Sequence, residues 1–171
     1  MPINPPRVPG NSDLFLTPQQ RDIAVGTLLG DASLQTQSDG KTWRLKWQMS
    51  LKHADYADQI CQEFGNRWIP SKPHAVSRSN SEMLGFQTVA SVNLTGLAHL
   101  FLEENGRRFV KVYKPGLVRD HLTNRGLAYW FMDDGGKADY TSNQGKGIVL
   151  NTHGFEEQGV IAICQELAER F

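Results

Sequence analysis

The sequence has little cysteine, no long apolar run and no net charge. Its two cysteines, Cys61 and Cys164, are too few and too far apart for a disulfide framework or a zinc site. Reduced, buried thiols are the simplest interpretation, and they are typical of an intracellular compartment. No stretch approaches the roughly 20 apolar residues of a membrane span, so no membrane association is expected.

The charge balance and the start of the chain also exclude some classes of protein. The 18 basic and 18 acidic residues cancel, so net charge favours no particular partner. A basic cluster over 107–125 is either a solvated face or a phosphate-binding surface. The first residues are proline-rich and lack the apolar core of a secretory signal or the pattern of a transit peptide. We interpret residues 1–16 as an extended arm and expect an intracellular protein, of an organelle or of the bacterial cytoplasm.

The chain contains an internal repeat with an offset of 103 residues. The tetrapeptide Ile-Cys-Gln-Glu stands at 60–63 and again at 163–166. At the same offset Asp31 corresponds to Asp134, and each of the two follows an apolar helical run. Because two features share one register, we predict a duplication, with a first repeat at 17–122 and a second, incomplete repeat at 123–171. We expect a further C-terminal segment or a partner chain to complete the second repeat.

Each repeat is predicted to contain a helix, a pair of strands and a second helix, which gives an α+β class with antiparallel sheets. The first repeat continues with a hairpin at 75–94, with Gly85 near its turn, and a helix at about 95–105. The other predicted elements are helices at 18–30, 54–68, 123–134 and 155–171, strands at 32–36 and 43–51, and a hairpin at 137–152.

Two carboxylates, Asp31 and Asp134, end the apolar helices. A carboxylate is unfavourable at the C-terminus of a helix, where backbone carbonyls already concentrate negative charge. A residue that is unfavourable in its local structure often belongs to a functional site. If the helices pack across a pseudo-twofold axis, with Gly26 and Ala128 permitting close approach, the two carboxylates meet. They then repel each other unless a proton or a cation lies between them. Mg²⁺ takes such ligands together with phosphate and water, which is the arrangement for metal-assisted phosphodiester hydrolysis.

The predicted strand at 43–51 alternates strictly between apolar and polar residues. Its apolar face includes Trp43 and Trp47, which we interpret as core residues rather than as platforms for stacked bases. Its polar face continues onto the preceding strand. Together the two strands present Ser33, Gln35, Gln37, Arg44, Lys46, Gln48 and Ser50. Such a surface is either the solvated face of an ordinary sheet or a ribbon that reads base edges in the DNA major groove.

The stretches AVGTLLGDA (24–32) and LAYWFMDDG (127–135) resemble the two signature helices of the LAGLIDADG homing endonucleases. The resemblance runs from about residue 17 to residue 171 and is to the monomeric type, in which one chain carries both motifs, as in a yeast mitochondrial intron-encoded enzyme. It implies a pseudo-twofold duplicated αββαββα fold with saddle-shaped sheets. It also implies cleavage of both strands of a double-stranded DNA target of roughly twenty base pairs.

The resemblance further implies roles for individual residues. Asp31 and Asp134 would bind metal ions and carry catalysis, and Gly30 and Asp133 would offer backbone carbonyls to the same ions. Lys111 takes the place of a basic residue that assists at the scissile phosphate in a monomeric member. The expected cofactor is Mg²⁺, for which Mn²⁺ or Ca²⁺ would substitute in binding.

The DNA-contacting set is expected to include three further residues, Arg78 and Gln87 in the predicted second hairpin and Lys137 after the second motif. For Lys137 a solvated side chain is the alternative.

Two other functions stay open on the same scaffold: an RNA-binding intron maturase and a non-catalytic DNA-binding module. Retention of both acids disfavours a purely binding role, because a carboxylate pair without a cation repels phosphate.

Overall fold

The structure, a computed structural model, describes residues 11–78, 81–139 and 146–171. The helices are α1 (Pro18–Leu29), α2 (Ala54–Trp68), α3 (Thr95–Phe101), α4 (Leu117–His121), α5 (Asn124–Asp134) and α6 (Glu157–Arg170). The strands are β1 (Ser33–Gln35), β2 (Arg44–Ser50), β3 (His74–Arg78), β4 (Ser81–Gln87), β5 (Leu102–Asn105), β6 (Arg108–Lys111), β7 (Gly135–Asp139) and β8 (Lys146–Leu150). These strands pair antiparallel, which confirms the α+β class.

The chain forms two compact units. The first contains the segment up to Thr17 together with Ser33–Gly96, and the second contains Pro18–Ala32 and Leu97–Phe171. None of the helices in the described part of the chain is long and apolar enough to cross a membrane.

The first unit is a four-stranded sheet, in the order β1-β2-β4-β3, with α2 on its apolar face. Alternation along β2 decides which face is buried, because successive side chains point to opposite sides. Trp47 is fully buried, stacks on Phe86 at 5.2 Å between ring centroids, and meets the edge of Phe64 from α2 at 5.3 Å. Trp43 is also buried, so the interpretation of both tryptophans as core residues is confirmed.

The second predicted hairpin is confirmed, but Gly85 does not lie at its turn. Gly85 is inside β4, opposite His74 of β3, and the pairing of the two strands continues past it as far as Arg78 opposite Ser81. A Cβ added at Gly85 would lie 2.6 Å from Cγ2 of Val76, so the glycine makes room for its neighbour in the sheet. A close approach, rather than a turn conformation, explains this glycine.

Of the predicted arm at 1–16, residues 1–10 lie outside the described part of the chain. Residues 11–16 are fastened to the first unit rather than extended from it. Leu14 is buried, and the Asn93 side-chain amide donates to the carbonyls of Ser12 and Leu14 at 2.8 and 3.0 Å.

The second unit contains α1 and α5 with α4 and α6, the hairpin β5–β6 and the ribbon β7–β8. The predicted helix at 95–105 is wrong beyond residue 101, where α3 gives way to β5. Gly106, with φ of +63°, closes the hairpin to β6. This conformation is accessible to glycine at little cost, so the strand pair forms where helical periodicity was expected to continue.

The two copies share one strand register. Leu34 pairs with Leu45 in β1–β2, and their equivalents at the 103-residue offset, Lys137 and Ile148, pair in β7–β8. The helices α2 and α6 also begin at equivalent positions, 54 and 157. The boundaries 17–122 and 123–171 stay a prediction, because α1 belongs to the compact unit that contains α5.

Glu166 departs from the symmetry of the repeat. Its equivalent Glu63 is exposed, whereas Glu166 is buried and its carboxylate accepts hydrogen bonds at the start of α4. The donors are Gly116 N–H at 2.5 Å, Arg119 N–H at 2.9 Å and the Tyr113 hydroxyl at 2.8 Å. Burial by itself raises the pKa of Glu166, but these hydrogen bonds lower it by more, so the net pKa lies below its ordinary value.

The variant Glu166→Gln is therefore expected to lower the free energy of unfolding by about 2 kcal/mol at pH 7, because an amide NH₂ would face groups that donate. Since the folded-state pKa is depressed, the stabilisation is present above the pKa of the unfolded chain and is lost as pH falls through the folded value. Urea unfolding at several pH values measures this difference, which should shrink below about pH 4. The matched variant Glu63→Gln should change stability by less than about 0.5 kcal/mol. Equal effects of the two variants would contradict the assigned role.

Candidate catalytic site

The helices α1 and α5 pack so closely that their backbones touch. A Cβ added at Gly26 would overlap the carbonyl group of Gly126, and one added at Gly126 would lie 3.1 Å from the carbonyl oxygen of Asp22. The prediction of a close approach at Gly26 is confirmed, but the partner Ala128 is wrong, because Ala128 is exposed. The helices cross nearer the start of α5 than its middle, which only tertiary packing decides.

The two helices end differently. Beyond the end of α1 the Ala32 N–H donates to the carbonyl of Thr27 at 2.8 Å, five residues back, so the last turn is wide. In contrast, α5 runs through Asp134, and the Gly135 N–H bonds the carbonyl of Phe131. Gly135 has an ordinary extended conformation with φ of −81°, and a Cβ there would collide with Phe131. The glycine after the second acid therefore relieves crowding and does not supply a left-handed turn.

The equivalent positions 30 and 133 face each other across the helix pair. Asp133 Oδ2 accepts a hydrogen bond from the Asp31 N–H at 3.2 Å. A Cβ added at Gly30 would lie 2.6 Å from Cβ of Asp133 and 2.7 Å from its Oδ2. The Asp133 side chain of the second repeat thus occupies the space that is open because Gly30 of the first repeat has no side chain.

Lys111, at the end of β6, reaches the same helix ends. Its Nζ donates to the carbonyls of Gly30 at 3.0 Å and Ala32 at 3.3 Å and lies 5.9 Å from the centroid of the Phe155 ring. Burial lowers the pKa of Lys111, while the charges of the carboxylates at 31, 133 and 134 raise it, and the net pKa is below the ordinary value. The structure therefore brings the predicted catalytic lysine to the predicted acids.

The pKa of Asp134 depends on the charge of its repeat equivalent, Asp31. Burial raises the pKa of Asp134, and the negative charge of Asp31 raises it further. Lys111 and His153 oppose this shift without cancelling it. Sequence reasoning did not single out His153, because its spacing from other possible ligands gives no signal.

The donor set fits a hard divalent cation that keeps much of its own hydration. No group of three or more His, Cys, Asp or Glu side chains within the described ranges could hold a metal ion. Carboxylates and backbone carbonyls are oxygen ligands of the kind that hard divalent cations take together with water. Such a set of donors suits zinc less well, since zinc sites use three or four protein ligands, mainly His and Cys.

A second candidate surface is the polar face of the four-stranded sheet in the first unit. Cross-strand pairs put Ser33, Lys46 and Gln87 in one row, and Gln35 with Arg44 in the next. The same face carries Gln48 and Ser50, and Arg44 Nη2 donates to Gln37 Oε1 at 3.2 Å. Arg78 lies in β3, but its side chain is outside what the structure describes.

Pairing also assigns residues to this face that the sequence did not reveal. Gly85 pairs with both Gln48 and His74, so His74 lies in the same cross-strand row as Gln48. Met83 likewise pairs with both Ser50 and Val76, which puts Val76 in the row of Ser50. A cleft at the edge of the sheet adds Lys72, which lines it with Arg44. The sequence of β3 and β4 could have placed these residues on the polar face only if the register between the two strands had been known.

Lys137 lies in a different environment from the other predicted contacts. It pairs with Ile148 in β7–β8, and its repeat equivalent Leu34 is on the buried face of the first sheet. Lys137 itself is exposed. The register therefore gives it no place in a polar row like that of Ser33, and its contact with DNA stays a prediction.

Comparisons with known proteins point to one family. The model of the LAGLIDADG DNA endonuclease family matches residues 21–171. The probable intron-encoded endonuclease 1 of Wickerhamomyces canadensis is 32% identical over 158 residues, which are 89% of this chain and 65% of that protein. The DNA endonuclease I-ChuI of Chlamydomonas applanata is 32% identical over 166 residues, which are 90% of this chain and 73% of that protein.

A further relative, the cytochrome b mRNA maturase bI2 of Debaryomyces hansenii, is 27% identical over 147 residues, which are 82% of this chain and 52% of that protein. Among solved structures, the homing endonuclease I-WcaI bound to its DNA recognition sequence superposes with a TM-score of 0.80 at 31% identity. That match covers 92% of this chain and 70% of the solved one. The predicted fold class is confirmed by this likeness. Because the family model spans residues 21–171, which are most of the chain and include Asp31, Asp134 and Lys111, this chain belongs to the LAGLIDADG DNA endonuclease family.

Proposed function

We propose that the chain acts as a site-specific double-strand DNA endonuclease of the homing type, hydrolysing phosphodiester bonds with divalent metal ions. The observation that carries the proposal is that the ends of α1 and α5 lie together: the helices pack through Gly26 and Gly126, and the Asp31 N–H donates to Asp133 Oδ2. A protein that only bound DNA would gain nothing from two coupled carboxylates beside the phosphate backbone.

The residues at the helix ends have distinct parts in this proposal. Asp31 and Asp134 would hold Mg²⁺, with the carbonyl oxygens of Gly30 and Asp133 as additional donors, and Mn²⁺ or Ca²⁺ would occupy the same position. When bound, the ion supplies charge compensation at the phosphate and makes coordinated water more acidic. Lys111 would meet the oxygens of the scissile phosphate. The hydrogen bonds from its Nζ to the carbonyls of Gly30 and Ala32, on either side of Asp31, support this part of the proposal.

The polar sheet face supplies the proposed contact with double-stranded DNA. Arg44 with Gln37, and Lys46 with Gln87, present donors of the kind that read base edges in the major groove. The cleft residue Lys72 suits a phosphate contact, which positions the duplex without reading its sequence. In this proposal the target is a long double-stranded site of roughly twenty base pairs.

A maturase that binds intron RNA is the second candidate, and one relative carries that name. It can coexist with DNA cleavage, since the two activities need not use the same surface. We also propose an organelle as the compartment, because the relatives include a probable intron-encoded endonuclease and a maturase of cytochrome b mRNA.

The deciding experiment is a cleavage selection. The 171-residue chain is incubated with a library of randomised duplexes and intron-insertion sites in Mg²⁺, and cut ends are sequenced. Enrichment of one related set of sequences, lost on chelation of the metal, is the expected result. Cleavage that persists without any divalent ion would overturn the proposed chemistry. Tight binding to intron RNA with no cleavage of any duplex would favour the maturase.

A further inference from the structure

We propose that the Asp133 side chain is a positioning residue, which fixes the backbone of Asp31 for the reaction. This inference rests on the proposed function and assigns a task to the side-chain carboxylate of Asp133. The family resemblance implies a role for the backbone carbonyl of Asp133, and the repeat equivalent Gly30 has no side chain.

The contact itself joins the two helix ends. Asp133 Oδ2 accepts from the Asp31 N–H at 3.2 Å, so the carboxylate of one copy binds the peptide group that carries the acid of the other. The bond acts directly on the backbone from which the Asp31 side chain projects.

The shape of the site allows this contact from the Asp133 side only, without a matching contact from position 30. The missing Cβ of Gly30 leaves the space that Asp133 fills, since any side chain at position 30 would meet Cβ and Oδ2 of Asp133. The pair therefore has one carboxylate and one glycine at equivalent positions, and both are needed for the bond to form. An aspartate at each position would crowd the same space and add repulsion.

The asymmetry matches the different ends of the two helices. Asp134 lies within α5, where regular helical hydrogen bonding continues to Gly135. Asp31 lies beyond the end of α1, inside the wide turn that the Ala32 N–H closes on the carbonyl of Thr27. The Asp133 carboxylate adds a restraint on the backbone of Asp31 at a point where the regular hydrogen bonding of α1 has ended.

The test separates hydrogen bonding from charge with two variants of one residue. Asp133→Ala removes the acceptor, whereas Asp133→Asn keeps an acceptor oxygen and removes only the charge. Amide hydrogen exchange at Asp31, measured by NMR without metal or DNA, reports the contact directly. We expect exchange to be about tenfold faster in Asp133→Ala and close to wild type in Asp133→Asn.

Single-turnover cleavage of a supercoiled plasmid carrying the selected target then measures the consequence. We expect Asp133→Ala to cleave about 10- to 100-fold more slowly and to accumulate nicked plasmid, because one of two acids is misplaced. Its DNA affinity in Ca²⁺ and its thermal midpoint should stay close to those of the wild type. Asp133→Asn should recover most of the rate.

Each opposing outcome has a distinct meaning. Unchanged exchange in Asp133→Ala, or faster exchange with an unchanged cleavage rate, overturns the positioning role. Equal loss in Asp133→Asn and Asp133→Ala shows that the charge matters and not the acceptor, which also overturns it. A wild-type chain that cuts no target overturns the proposed function instead, and the exchange measurement still decides whether Asp133 holds Asp31.

Discussion

Replacing either Asp31 or Asp134 with asparagine is expected to slow double-strand cleavage by about 10³-fold or more. Asparagine has nearly the same shape but carries no charge, so it would hold a divalent ion more weakly and could not balance the charge of that ion. Both variants should still bind the target duplex, because the polar sheet face in the first unit is unchanged. Retained binding with lost cleavage separates a catalytic acid from a structural one.

The two measurements are cleavage of the selected target in Mg²⁺ and binding of the same duplex by electrophoretic shift. A matched control is Asp55→Asn, an exposed acid in α2, which should cleave at the wild-type rate. If Asp31→Asn or Asp134→Asn cleaves as fast as that control, the metal-holding role of the substituted acid is wrong.

The stability of Asp134→Asn should change in the opposite direction to its activity. Burial and the charge of Asp31 raise the folded-state pKa of Asp134, so the native protein binds this proton more tightly than the unfolded chain does. The fold therefore loses stability as pH rises from the unfolded pKa through the folded one. Without metal at pH 7, the neutral amide removes this penalty, and the thermal midpoint should match or exceed that of the wild type. Such an opposition between stability and activity is common where a site holds like charges together.

Much of this site could be predicted from the sequence because the chain repeats itself. The shared register of Asp31 with Asp134 identified the helix ends, and alternation along β2 separated the buried tryptophans from the polar face. Both signals are local, since they depend only on the period of a helix or a strand and on one constant offset. The structure keeps that offset down to the pairing of Lys137 with Ile148.

The features that were missed depend on tertiary contacts. Gly126, rather than Ala128, touches Gly26, because the crossing point of two helices depends on all the side chains between them. Glu63 and Glu166 belong to identical tetrapeptides, yet Glu63 is exposed, whereas Glu166 is buried against the start of a short helix. Asp133 gains its contact because the opposing position is a glycine, which a single segment of sequence cannot show.

The largest effect on folding is expected from Gly26→Ala, which should lower the free energy of unfolding by about 3 kcal/mol or more. The added methyl group would overlap the carbonyl carbon and oxygen of Gly126, and a backbone group cannot rotate away as a side chain can. The helices must therefore separate, and tightly packed interiors lose dispersion contacts steeply with small gaps. The intrinsic preference of a helix for alanine over glycine offsets only about 1 kcal/mol of this loss.

A matched control is Gly96→Ala in α3, where a Cβ would meet no atom within 4 Å. There the same substitution should raise stability by up to about 1 kcal/mol, because only the helix preference acts. Urea unfolding of the two variants and of the wild type measures whether each substitution raises or lowers the free energy of unfolding. If both substitutions stabilise the chain, the backbones of α1 and α5 do not touch, and the meeting of the two acids would lose its physical basis. If the Gly26→Ala variant is less stable and also cleaves slowly at a temperature at which it is still folded, the same glycine contact supports the fold and sets the spacing of Asp31 and Asp134.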